Sequence, residues 1–227
     1  MSPRRKLSDA RRRQILKAAV QVIASKGLCD TGIKDVADQA GTSPALVIYY
    51  FGTKDALLAE ALAFAEDRFY AQTADAVAGM ASARDRLVEL VRCSCSVGEA
   101  EDDFDEWVLW LDLWARAPRD PDVARDRAAM DRRWRTTIAE IVREGQATGE
   151  FAAVDTDAFS LRLGALIDGL AIQVVLHDPQ VSRERMFHLC MDTCARDLGF
   201  PWTPEDQAAL THPAPARRGF PHGRAAG

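Results

Sequence analysis

Three tryptophans recur at helical spacing near the middle of the chain, next to a run of acidic residues. Trp107, Trp110 and Trp114 fall at positions i, i+3 and i+7, so a helix would place their rings on one face. Residues 93–115 include seven Asp or Glu, Asp112 among them, and no Lys or Arg. Aromatic faces beside carboxylates suit a cationic ligand. The alternative is that the three rings form a stripe of the hydrophobic core.

Asp168 interrupts the longest apolar run of the sequence, residues 163–176. A carboxylate in such a run can be satisfied by a neighbouring helix, or it can contact a ligand or a partner across a dimer. The run is apolar on nearly every side, which is more than the core of one chain consumes, and it therefore favours dimerisation. The run is too short to span a bilayer, so no membrane association is expected.

Sequence patterns for catalysis, cofactor binding or metal binding do not stand out. The five cysteines show neither CxxC nor disulfide-framework spacing, and the four histidines form no visible triad. Glycine patterns that bind phosphate are also lacking. We therefore expect no catalytic residue, no metal and no cofactor, and we expect reduced thiols in a cytoplasmic protein.

Charge is distributed unevenly along the chain. Residues 1–55 carry ten Lys or Arg against five Asp or Glu, whereas the remainder carries 19 against 29. A basic head on an acidic body is typical of an N-terminal region that binds an anion, and a solvated basic tail would give the same count.

The elements nearest the N-terminus form a recognisable unit. Apolar residues at helical spacing predict a helix over 8–26 and a two-turn helix over 33–40. Ser43 as N-cap and Pro44 at the first helical position start a third helix, which continues to residue 51. Two short helices joined by three residues that include a glycine form a helix-turn-helix.

The third helix is predicted to have an uncharged outer face. With Val47 and Phe51 turned inward, that face consists of Pro44, Ala45, Ile48 and Tyr49. Small residues at the helix start allow close approach to a major groove, where Ile48 can contact a thymine methyl and Tyr49 a phosphate or a base edge. Together with the basic head, this face favours DNA binding. Three packed helices that contact no nucleic acid are the alternative.

The segment IKDVADQAGTSPALVIYYFGTKDALL resembles the TetR family of transcriptional regulators, and the family pattern covers roughly the first 60 residues. Its YF..K..L ending is formed by Tyr50, Phe51, Lys54 and Leu57. The resemblance implies DNA contact by the residues that open the recognition helix, by its later aromatic positions and by the lysine after it. The predicted DNA-binding residues are Thr42, Ser43, Pro44, Ala45, Leu46, Ile48, Tyr49 and Lys54.

Two positions depart from the family pattern. Gly32 stands where the family usually has a threonine or serine that caps the second helix, and Thr31 comes just before it. Ile48 occupies a common tyrosine position of the recognition helix. One phosphate contact is therefore either missing or supplied by another residue.

The rest of the chain shows no strand alternation, which predicts an all-α fold: an N-terminal three-helix helix-turn-helix head on a larger helical ligand-binding and dimerisation body. The expected body helices span 54–77, 84–97, 103–115, 122–148, 155–176 and 182–198. The predicted divisions are a basic disordered arm at 1–7, a DNA-binding domain at 8–60 with the helix-turn-helix at about 32–51, a ligand-binding and dimerisation domain at 61–200, and a disordered tail at 201–227.

The family resemblance implies a ligand-responsive regulator, here predicted to be a repressor. It would bind a palindromic double-stranded DNA operator as a homodimer and be released by a small-molecule effector. The tryptophan segment and RDPDVARDRAAMDRRWRTTIAEIVREGQATGEF also resemble, more loosely, the body of the choline-responsive repressors within the family. An amine or quaternary ammonium is therefore the first candidate effector, and a neutral hydrophobic metabolite the second. The predicted ligand-binding residues are Trp107, Trp110, Trp114, Asp112 and Asp168.

A different class of function would also fit a helical chain. A helical enzyme or small-molecule-binding protein could carry the N-terminal three-helix unit incidentally. That alternative requires a catalytic constellation, which the sequence does not display.

Overall fold

The computed structural model describes residues 3–96 and 107–203. Within these ranges the backbone forms nine α-helices and a short 3-10 helix and contains no strand, which confirms the all-α prediction. The helices are α1 (Pro3–Lys26), α2 (Ile33–Gln39), α3 (Pro44–Phe51), α4 (Lys54–Val77), α5 (Ala83–Cys95), α6 (Trp107–Arg116), α7 (Pro121–Thr148), α8 (Thr156–Val175) and α9 (Arg183–Leu198). The 3-10 helix, Ala117–Arg119, lies between α6 and α7.

Helix α1 begins at Pro3, upstream of the start that was expected at Ser8. The backbone of residues 3–7, predicted as a disordered arm, is therefore helical. Proline is tolerated in the first turn of a helix, and the Arg, Arg, Lys and Leu that follow it have good helix propensity. No residue between Pro3 and Ser8 ends the helix, so the helical conformation extends upstream.

Two other predictions fall partly on residues that the structure does not describe. The helix expected at 103–115 is seen as α6 from Trp107 onward, and residues 97–106 lie outside the described ranges. The tail expected at 201–227 lies outside them from residue 204.

The head consists of α1–α3 and the first half of α4, packed around one hydrophobic core. Ile15 and Ile23 of α1, Val36 of α2 and Val47 of α3 are all fully buried there. Leu57 of α4 closes the same core. Apolar residues spaced for one helical face therefore account for the packing of all four helices.

The body places α5, α7, α8 and α9 around a second core, to which Leu90, Ile138, Phe159 and Met191 contribute fully buried side chains. The turn after α7 is fixed by a close approach at Gly145. A Cβ atom there would lie 2.1 Å from the ring of Phe151, so only glycine fits without displacement of that ring.

Helix α8 is long and apolar enough to cross a membrane when judged by length and composition alone. Its most apolar window has a mean hydropathy of 1.5, and a third of that window is buried. The run 163–176, judged too short to span a bilayer, is thus part of a helix that meets both criteria. In the folded chain Phe159, Leu163 and Ile167 of α8 pack in the body core against α7 and α9.

Helix α6 contributes to both cores. Leu109 and Leu113 are buried in the head core, whereas Trp107 is buried in the body core. Trp110 packs against both. The head and the body are therefore joined by α6 as well as by the continuous helix α4.

Candidate DNA interface and effector site

Helix α3 presents two opposite faces, as predicted. The side chain of Val47 is fully buried and that of Phe51 is 6% exposed, whereas Ile48 is 50% and Tyr49 80% exposed. Ser43 caps the helix by accepting a hydrogen bond from Leu46 N at 3.2 Å, and Pro44 follows at the first helical position. A large aromatic ring held this far into solvent by a rigid helix is available to a binding partner.

The other predicted DNA-binding residues surround this face. Ser43, Pro44 and Ala45 are exposed, and Thr42 and Leu46 are half-buried. Lys54 is half-buried as well, and its Nζ donates a hydrogen bond to the carbonyl of Cys29 at 2.9 Å. These residues lie at the start of α3 and of α4, and their contact with DNA stays a prediction.

Gly32 caps α2 without a side chain, and a carboxylate satisfies the backbone N–H of Gly32. Asp35 Oδ2 accepts a hydrogen bond from Gly32 N at 2.9 Å, and Asp35 Oδ1 binds Lys26 Nζ at 2.6 Å. The hydrogen bonds from Lys26 and Gly32 hold the pKa of Asp35 below its ordinary value. Thr31 is fully buried and donates to Gly27 O at 2.7 Å, so its hydroxyl is not on the DNA-facing surface.

One arginine of the basic head makes contacts within the chain. Arg12 donates to the carbonyl of Tyr50 at 3.2 Å, is ion-paired with Glu60 of α4, and lies over the ring of Phe51 at 4.7 Å. This side chain therefore fixes α1 against α3 and α4. Because Arg12 is paired with Glu60, the head offers less positive charge to a phosphate than the number of Lys and Arg residues suggests.

The tryptophans of α6 are brought together only in part. The rings of Trp107 and Trp114 lie 6.4 Å apart between centroids, and Trp107 Nε1 donates to Ser94 O at 3.3 Å. Trp110 occupies the boundary between the two cores. The rings thus pack in or against the two cores, and their contact with a ligand stays a prediction.

The two acidic residues predicted beside these rings have other surroundings. Asp112 Oδ2 accepts a hydrogen bond from Leu28 N at 2.8 Å, which connects α6 to the head. Asp168 is half-buried on α8, and burial raises its pKa to about 7. The charge of Asp131 on α7 raises this pKa further, and Arg127 opposes the shift.

A second aromatic cluster, which was not predicted from the sequence, lies between α4 and α7. The rings of Phe69 and Trp134 lie 5.9 Å apart in an edge-to-face arrangement, and Arg133 lies 3.9 Å from the ring centroid of Tyr70. Glu66 lies on the same stretch of α4, and burial raises its pKa. The signal was an acid at i with aromatics at i+3 and i+4 in α4, but their partners on α7 are distant in sequence.

Glu66 has an incompletely paired carboxylate. Its Oε2 lies 3.7 Å from Arg133, which is an ion pair at long range. Its Oε1 is buried and has no hydrogen-bond partner among the residues that the structure describes. A buried oxygen of this kind is costly unless a partner satisfies it, which makes Glu66 a candidate for contact with a ligand.

Comparisons with known proteins agree with this architecture. Residues 15–61 match the model for bacterial regulatory proteins of the tetR family, and residues 83–199 match the BetI-type transcriptional repressor C-terminal model. HTH-type transcriptional regulator BetI of Rhizobium meliloti (strain 1021) is 28% identical over 191 residues, which cover 84% of this chain and 90% of that protein.

Solved structures give the same assignment. A transcriptional regulator from Saccharomonospora viridis, solved in complex with choline, is 34% identical with a TM-score of 0.75, over 84% of this chain and 98% of that one. A TetR-family regulator from Rhodococcus sp. is 28% identical with a TM-score of 0.73, over 83% and 98%. The family resemblance seen in the sequence is confirmed: the chain belongs to the TetR family of transcriptional regulators, and its body is of the BetI type.

Proposed function

We propose that the chain is a homodimeric repressor that binds a palindromic operator and is released by a quaternary ammonium effector such as choline. The observation that carries the DNA-binding role is α3, whose buried side fixes Ile48 and Tyr49 on the opposite, exposed side. A helix held in this way can enter a major groove with its N-terminal turn toward the bases. The protein would act without catalysis, and in the cytoplasm, where bacterial DNA is located.

Homodimerisation is supported by apolar side chains left exposed on the last two body helices. Leu161 of α8 is 54% exposed, Leu176 at the end of α8 66%, and Leu189 of α9 38%. Arg162 and Asp197 pair across α8 and α9 at 3.0 Å and hold the two helices side by side. A second copy of the same two helices would cover this surface and place the two α3 helices about one helical turn of DNA, ~34 Å, apart.

The effector class follows from the chemistry of the body. A quaternary ammonium has no N–H to donate, and aromatic faces and negative charge are groups that attract it. The Trp107 and Trp114 pair and the carboxylates of Glu66 and Asp168 are the groups of the body that we propose for these two roles. Choline is bound by the Saccharomonospora viridis relative. We therefore infer that choline, or a cation of similar shape, is the effector here.

Release from DNA requires that the effector bind one state of the dimer better than the other. A coupling free energy of ~1–3 kcal/mol is typical and weakens DNA binding about 5–150-fold. The effector would stabilise a dimer whose two α3 helices no longer match successive major grooves.

The proposed function is tested by fluorescence anisotropy on DNA from upstream of the gene, with choline as titrant. The matched control ligand is 3,3-dimethylbutan-1-ol, which has the shape of choline with a neutral carbon in place of nitrogen. We expect choline to release the DNA and the alcohol to have no effect. Equal release by both would refute cation recognition, and failure to bind DNA at low salt would refute the DNA-binding role.

A further inference from the structure

The loop between α1 and α2, residues 27–31, is held by side chains from two other helices. Leu28 N donates to Asp112 Oδ2 of α6 at 2.8 Å. Cys29 O accepts from Lys54 Nζ of α4 at 2.9 Å. The loop is thus the one described segment of the head where α6 and α4 both bind the backbone directly.

The loop is internally rigid. Thr31 is fully buried, and both its amide (3.2 Å) and its hydroxyl (2.7 Å) donate to Gly27 O. Leu28 is 2% exposed and belongs to the head core. Gly27 ends α1 with φ +85, and a Cβ there would lie 3.2 Å from Asp112 Oδ2. The loop leads directly into Gly32, the N-cap of α2. Because the loop is tightly held, we expect a displacement of Leu28 to move α2 and, through it, α3.

Helix α6 is able to transmit such a displacement. It carries Trp107 and Trp114, whose rings face the body, and Asp112, whose carboxylate faces the head. A ligand that contacts either ring acts on the helix that holds Asp112. The partial negative charge at the C-terminus of α1 opposes a nearby carboxylate, whereas the hydrogen bond from Leu28 N favours it. A small shift or rotation of α6 would therefore break this contact.

We propose that the hydrogen bond from Leu28 N to Asp112 couples the effector site to the helix-turn-helix. This inference rests on the proposed function and adds a route through α6 to the route through the continuous helix α4. Asp112 is then a positioning residue, which contacts neither the effector nor the DNA. The sequence-based hypothesis gave Asp112 a different role, as a counter-charge for a bound cation.

The two roles are separated by comparing Asp112→Ala with Asp112→Asn. The carboxamide oxygen of Asn can accept the same hydrogen bond from Leu28 N but carries no charge for a cation. Asp122→Ala is the matched control, because Asp122 lies in the first turn of α7 with 83% of its side chain exposed. For each variant, choline affinity is measured by tryptophan fluorescence, and operator affinity is measured with and without saturating choline.

If the hydrogen bond couples the sites, Asp112→Ala binds choline within about twofold of the parent, but choline weakens its operator binding less than about threefold. In the parent, choline is expected to weaken operator binding ~5–150-fold. Asp112→Asn should retain most of the coupling. Unchanged coupling in Asp112→Ala overturns the proposal. Equal loss of choline affinity in the Ala and Asn variants also overturns it, and supports the counter-charge role.

A measurement without effector or DNA keeps this inference separate from the proposed function. In the free dimer, amide exchange at Leu28 should be roughly tenfold faster in Asp112→Ala than in the parent, since loss of one charge-assisted hydrogen bond lowers local protection by about that factor. The Asn variant should lie between the parent and the Ala variant, because its carboxamide keeps the hydrogen bond without the charge, and the Asp122→Ala control should stay near the parent rate. An unchanged rate at Leu28 in the Ala variant would refute the coupling contact, whether or not choline proves to be the effector.

Discussion

Replacement of Glu150 by Gln is expected to remove a pH-dependent part of the stability of the body. Glu150 lies in the turn after α7 and caps α5: its carboxylate accepts from Ser82 Oγ at 2.6 Å, Ala83 N at 3.0 Å and Arg84 N at 3.1 Å. Thr148 Oγ1 donates to it at 2.9 Å. These hydrogen bonds lower the pKa of Glu150 from 4.5 to about 2.

The magnitude follows from linkage between pKa and folding. A shift from 4.5 to about 2 corresponds to about 3 kcal/mol if it is fully realised. The carboxylate of Glu150 is close to solvent, which screens the interaction, so we expect about 1–2 kcal/mol. Because the folded-state pKa is depressed, this contribution is present above pH 4.5 and is lost as the pH falls toward 2.

The assay is urea unfolding of the parent and of Glu150→Gln at fixed protein concentration, from pH 7 down to pH 3. The variant should be less stable by about 1–2 kcal/mol at pH 7, and the difference should shrink below pH 4.5. Glu140→Gln, at an exposed position of α7, is the control and should change stability little at any pH. A difference that stays constant from pH 7 to pH 3 would show that the charge of Glu150 does not cap α5, and would refute the argument.

Three further predictions concern DNA binding, the buried acid and the turn after α7. Lys54→Ala should weaken binding to operator and random DNA alike and flatten the salt dependence of binding. Tyr49→Ala should lower the affinity for operator more than the affinity for random DNA. Equal losses of affinity on both DNAs would limit Tyr49 to phosphate contact. Asp168→Asn should stabilise the fold above pH 7 by about 1–2 kcal/mol and have little effect near pH 4. The reason is that burial raises the pKa of Asp168 to about 7 and penalises its ionised form. A gain in stability that does not vary with pH in thermal melts would contradict this reasoning. Gly145→Ala should destabilise the body by about 1–3 kcal/mol in urea unfolding, since its Cβ would lie 2.1 Å from the ring of Phe151, and a stability change below ~0.5 kcal/mol would show that the ring moves aside freely.

The recognition helix could be predicted from the sequence because every determinant of it is local. Ser43 and Pro44 define its start, and the spacing of Val47 and Phe51 defines its buried side. Ser8 is a good N-cap residue and predicts a later start of α1 than the structure shows. The helix extends upstream to Pro3 because no helix-breaking residue lies between them.

The candidate effector site was less predictable because its geometry depends on contacts between distant segments. Asp112 was grouped with the tryptophans by its position on α6, yet its side chain binds Leu28, 84 residues away. Glu66 has Phe69 and Tyr70 within its own helix, but its contact with Arg133 of α7, like that of Phe69 with Trp134, joins segments that are distant in sequence. Helical periodicity specifies the face on which a side chain lies, but not the helix that packs against that face.

The placement of Leu109 and Leu113 in the core of the DNA-binding head has a consequence for protein engineering. A fragment that stops within α4 lacks these two side chains and would leave an apolar opening beside Ile15 and Leu57, so it should be poorly stable by itself. Chimaeras that exchange DNA-binding heads between members of this family would encounter the same mismatch if they were joined in α4. A transplanted head should keep its specificity and its response to the new body only when positions 109, 112 and 113 are exchanged together with it.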